Sequence, residues 1–72
     1  MDIEVYTDRY EREHGHKPVG RRFWCFTLVS DRVTVSDHFL NLDDKQRTYP
    51  DALKEAQRIA ALRKSVRIIV EP

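Results

Sequence analysis

Seventy-two residues, 40% hydrophobic and 35% charged with two glycines and three prolines, make one small globular domain with a thin core and exclude a disordered composition. Thirteen Lys/Arg against twelve Asp/Glu give a net charge of +1, so the total implies neither a nucleic-acid partner nor an acidic mimic. The single cysteine, Cys25, excludes an intramolecular disulfide, and with no basic start leading into an apolar run and no bilayer-length apolar stretch, the expectation is a cytoplasmic protein without a membrane partner.

Charge is distributed in blocks. Residues 1–16 carry two Lys/Arg against five Asp/Glu, 17–35 four against one, 36–46 one against three, and 47–72 six against three. Such blocks predict a surface of opposite-signed patches, which suits protein partners at least as well as nucleic acid.

In chain order, Ile3, Tyr6 and Tyr10 recur at helical spacing, Asp8/Arg12 and Arg9/Glu13 make four-residue charge pairs, and Gly15 stands where a helix would close. Ile3, Val5 and Thr7 also alternate as in a strand, and Asp8 with Glu11 fits a capping box. Residues 2–6 therefore read either as helix or as a strand feeding a shorter helix. His14 to Gly20 is a loop. Trp24, Phe26 and Leu28 then alternate with Phe23, Cys25, Thr27 and Val29, a β-rich strand with two fairly apolar faces. Ser30-Asp31-Arg32 reads as a tight turn, and Val33 to Ser36 as an antiparallel partner, with an extension through Phe39, Leu40 and Leu42. Asp43 to Arg47 is a polar stretch.

Thr48 is positioned to cap a helix whose first turn holds Pro50 and Asp51. Tyr49, Ala52, Leu53, Ala56, Ile59 and Ala60 form its apolar stripe, with Lys54, Glu55 and Arg58 outside. Arg63 and Lys64 suit the negative end of the helix dipole, and residues 66–70 form a terminal apolar strand. The expected fold is α+β in the order α (or βα), β, β, α, β: a small antiparallel-type sheet of about three strands with helices on one face. Trp24, Phe26, Leu28, Leu53, Ala56, Ile59, Ile68 and Val70 form the expected core. Phe23, Cys25, Thr27, Val29, Thr34, Arg67 and Ile69 would then point away from the helices, with Val33 and Val35 inward. That outer face is apolar enough to need a cover: the N-terminal segment, a partner, or a second copy in a homodimer.

His14 to Phe26 has the form H-G-x-x-P-x-G-x-x-x-W-x-F, followed by a Thr-Tyr-led, alanine-rich helix and a terminal apolar strand. This pattern resembles short, mostly uncharacterised proteins carried by phages and plasmids. The resemblance implies a mobile-element accessory protein; some small proteins of that provenance bind and block host nucleic-acid machinery, including CRISPR effectors. It carries over no site residue.

His14, His16, His38 and Cys25 are the only set that could be assembled into a metal or nucleophilic site, and only His14-x-His16 is close-spaced, so neither a metal nor another cofactor is expected. Cys25 sits in an apolar strand, where burial quiets a thiol, and Asp43 and Asp44 lie adjacent in a polar stretch. With no Walker loop, dinucleotide fingerprint, H-E-x-x-H or G-x-S-x-G, the expectation is a non-enzymatic binding module that docks on a host protein. Arg21, Arg22, Phe23 and Tyr49 are its candidate contacts, because arginine and aromatic side chains anchor most interfaces. The alternative is an RNA or single-stranded DNA binder in which Lys17, Arg21 and Arg22 hold phosphates and Phe23 stacks on a base.

Overall fold

Residues 3–32, 34 and 36–72 are described by a computed structural model. They form β1 (Glu4–Tyr6), α1 (Asp8–His14), β2 (Arg21–Val29), β3 (His38–Thr48), α2 (Tyr49–Leu62) and β4 (Arg67–Val70). One four-stranded sheet runs in the order β1-β4-β2-β3. β1 pairs with β4 in parallel, and β2 pairs antiparallel with both β4 and β3. The α+β class is as expected, and the βα start is the alternative that the chain adopts. The sheet differs from the expectation in having four strands and one parallel pair. The three residues of β1 are too few for their alternation to decide between strand and helix, and no local pattern announces a partner sixty positions along the chain.

Thr7 precedes α1, and its backbone carbonyl accepts from the Glu11 amide at 2.9 Å. The Thr7 hydroxyl meets the Glu11 carboxylate, so Thr7 rather than Asp8 partners Glu11. Gly15 ends the helix at φ +74°, donating to the Glu11 carbonyl at 2.8 Å, a left-handed cap that a Cβ would oppose. Arg9 reaches Glu71, not Glu13. Tyr6 and Tyr10, expected on one helical stripe, separate: Tyr6 lies in β1 and Tyr10 is buried in the core.

β2 is the spine of the sheet. Trp24, Phe26 and Leu28 are buried on one face beside Ile68 and Val70 of β4 and Leu42 of β3. Ala52, Ala56 and Ala60 of α2 pack on them with no exposed surface. Four-residue spacing puts the three alanines on one line, and their small side chains let the helix lie close to the sheet. Leu53 and Ile59, expected inside, are only partly buried and flank that line. Thr48 occupies the cap position of α2, but its side chain makes no capping bond.

The second hairpin strand begins later and runs further than expected. Thr34 lies in a turn, Ser36 is outside any strand, and β3 extends through the charged residues Asp43 to Arg47. Because it lies in a turn outside the sheet, Thr34 is not part of the outer sheet face. Val33 and Val35 lie outside the described residues, as does Asp2. A register shift between Arg22 and Trp24 sets residues 43–46 opposite the single residue Phe23. Charged residues are tolerated there because β3 is an edge strand, where they also discourage pairing with another chain.

Candidate interaction surface

Side-chain alternation leaves the sheet face opposite the helices uncovered by any described element. β1 lengthens the sheet at its edge beside β4 and does not fold over this face. One register row crosses all four strands, Tyr6–Ile69–Thr27–Phe39. It is about 14 Å wide from three strand spacings. Val29 lies on one side of the row and Cys25, Asn41 and Phe23 on the other. Three aromatic residues of this face stand out to solvent: Tyr6 at 40%, Phe23 at 48% and Phe39 at 56% exposure. Single exposed apolar residues are ordinary, but three on one face beside half-buried Ile69 and Val29 make a patch.

Charges frame the patch in neutral pairs. The Glu71 carboxylate accepts from the Arg9 guanidinium at 2.8 Å and from the Thr27 hydroxyl at 2.7 Å through the same oxygen. Arg67 lies 3.6 Å from Glu4, and its guanidinium stacks 4.7 Å above the Tyr6 ring. The Tyr6 hydroxyl donates to Glu4, and that bond to a carboxylate raises the phenol above its ordinary range. Cys25 donates to the Asn41 side chain at 3.4 Å, and partial burial pushes its thiol up. That direction works against a nucleophilic role.

The residues singled out from sequence are divided between surfaces. Arg22 is half-buried on the helix side, 5.0 Å over the Trp24 ring and 5.6 Å over Tyr10. It caps the core with a cation–π stack. Tyr49 is also half-buried there, 5.2 Å from Trp24, and burial raises its hydroxyl. Phe23 is on the open face. Arg21 is exposed, directing Nη1 toward the Gln46 carbonyl at 3.4 Å, and Lys17 is exposed in the loop before β2. The Lys17, Arg21, Arg22 and Phe23 set is therefore not one contiguous surface.

His14 and His16 gather around Tyr10, at 4.2 and 5.7 Å between ring centres, while Cys25 is on the opposite face of the sheet. His38 pairs with Leu28 on β3. Among the described residues, no three His, Cys, Asp or Glu side chains converge as a metal site would need.

Six of the outer-face residues were legible in sequence: Phe23, Cys25, Thr27, Val29, Arg67 and Ile69. Tyr6 and Phe39 were missed as part of it. The signal for Phe39 is the alternation of Phe39, Leu40, Asn41 and Leu42, in which the two leucines face the core. No helix among the described residues is long and apolar enough to cross a membrane. No protein-family model, no curated protein and no solved structure matches this chain.

Proposed function

We propose that this protein is a non-enzymatic binding module that docks on a partner protein through the open face of its sheet. The observation carrying this reading is the row Tyr6–Ile69–Thr27–Phe39, joined by Phe23, on a face that no described element covers. Exposed aromatics surrounded by paired charges are the composition of an interface centre with a polar rim. The resemblance to phage and plasmid accessory proteins points to a host protein as the partner, including a component of nucleic-acid machinery such as a CRISPR effector.

A single-stranded nucleic acid is the second reading, favoured by the same exposed rings, since aromatic side chains on a sheet stack on bases. The charges of the face argue for protein. Arg9 and Arg67 are each engaged by a carboxylate, whereas a phosphate backbone needs cations that are free to release counterions.

The test is capture of a host protein after nuclease treatment by the parent chain and by Phe23→Ser and Phe39→Ser. Docking through the sheet predicts a partner that survives nuclease and is lost in both variants, with melting temperatures close to the parent. Recovery of the same partner by both variants would contradict it, as would binding that disappears with nuclease and weakens steeply with salt.

A further inference from the structure

A cleft lies between the end of β2 and the end of α2. It has a volume of about 520 Å³ and is lined by Ser30, Asp31, Arg32, Ala61, Arg63, Lys64 and Val66. Three of those seven are cations and one is an anion. Among the described residues, Arg32, Arg63 and Lys64 have no carboxylate within ion-pair distance, whereas Arg9, Arg47, Arg58 and Arg67 each have one.

Cations at the end of a helix ordinarily serve its unpaired carbonyls. Here backbone amides already do so. The amides of Arg63, Lys64 and Ser65 donate to the carbonyls of Ile59, Ala61 and Ala60 at 3.0, 3.2 and 2.8 Å. This closure holds Lys64 at φ +58°, the one positive φ outside glycine among the described residues. A Schellman closure of this kind is normally made by glycine, which adopts the left-handed region without a steric cost. Lysine at this position retains a cation on the cleft wall at the expense of backbone ease. A strained residue at a cleft is a pointer to function.

We infer that this cleft binds a compact phosphate-class anion: pyrophosphate, or the polyphosphate of a nucleotide. Two guanidinium forks and an ammonium supply planar and point-charge donors for phosphate oxygens. Ser30 adds a hydroxyl, although its oxygen already accepts from the Arg32 amide at 3.2 Å. Ala61 and Val66 supply apolar wall beside the charges. Three cations gathered in one cleft fit a compact anion, whereas an extended nucleic-acid backbone is followed by cations along a groove.

The test is an amide chemical-shift titration of the full chain with inorganic pyrophosphate and, separately, a nucleoside triphosphate, at about 0.15 M salt. The expected result is saturable shifts at residues 30–32 and 63–66 with Kd at or below about 1 mM. Lys64→Gly, which relaxes the backbone, should keep or raise the melting temperature while weakening binding by about tenfold or more, and Arg63→Gln should weaken it similarly. A triphosphate that binds more tightly than pyrophosphate assigns the site to nucleotides, and equal affinity assigns it to the free anion. Absence of saturation at about 10 mM would overturn the inference. So would shifts that are unchanged in both variants, or an oligonucleotide that binds through these residues while pyrophosphate does not.

Discussion

Trp24 donates its indole Nε1–H to the backbone carbonyl of Arg47 at 2.7 Å, joining β2 to β3 beyond the register shift that interrupts their pairing. The ring is fully buried between Tyr10 and Tyr49, at 5.6 and 5.2 Å, with Arg22 above it. One side chain thus fills the core and satisfies a carbonyl beside a bulge. Trp24→Phe keeps an aromatic ring but deletes the donor and part of the volume. It should destabilise by about 2–4 kcal/mol in urea unfolding, from the unpaired carbonyl and the void together. A loss below about 0.5 kcal/mol would show that the hydrogen bond and the fit contribute little.

The alanine line of α2 sets how closely the helix approaches the sheet. Ala56 has no exposed surface, whereas Ala61, on the same helix, is exposed. Ala56→Leu should therefore overpack the core and cost about 1–3 kcal/mol, while Ala61→Leu should change stability by no more than about 0.5 kcal/mol. Equal effects in thermal or urea unfolding would contradict the assigned face.

The legible parts of this fold are those with long, regular periodicity. Seven alternating residues from Phe23 to Val29 and the four-residue repeat of α2 gave the central strand and the main helix. On α2, hydrophobicity alone misranked the packing: Leu53 and Ile59 flank the contact that the alanines make, because the separation of helix and sheet rewards small volume. Asp43 to Arg47 read as a polar stretch rather than a strand because charged residues are poor strand formers, a preference that weakens at a sheet edge. Arg21 and Arg22 looked like one basic patch in sequence, but strand alternation sends neighbours to opposite faces, and Arg22 became a lid on the core. Tyr6 joins the open face only through the pairing of β1 with β4, a contact that no local pattern encodes.

Two exposed ion pairs predict a shallow acid dependence. The Arg47 guanidinium bonded to Asp44 holds that carboxyl below its ordinary range, and Arg58 does the same for Glu55. A carboxyl depressed in the folded state contributes stability that is present above its unfolded pKa and is lost as pH falls through its folded pKa. The double variant Asp44→Asn with Glu55→Gln should therefore melt slightly below the parent at neutral pH. The gap should close as pH falls below about 4. Salt should shrink it too, since both pairs are solvent-exposed. A gap that widened in acid would contradict the sign.

The placement of the partner on the open face is tested most directly at Cys25, whose thiol lies on that face beside Asn41. The measurement is the rate of Cys25 alkylation in the free protein and in the complex with the host protein recovered after nuclease treatment. In the free protein the reaction should be slow, because partial burial raises the thiol. Docking on the sheet predicts a further severalfold fall on complex formation, with Phe39→Ser preventing both the complex and the protection. An alkylation rate unchanged in a complex shown to be intact would contradict it, because a partner seated on the sheet could not leave Cys25 as accessible as before.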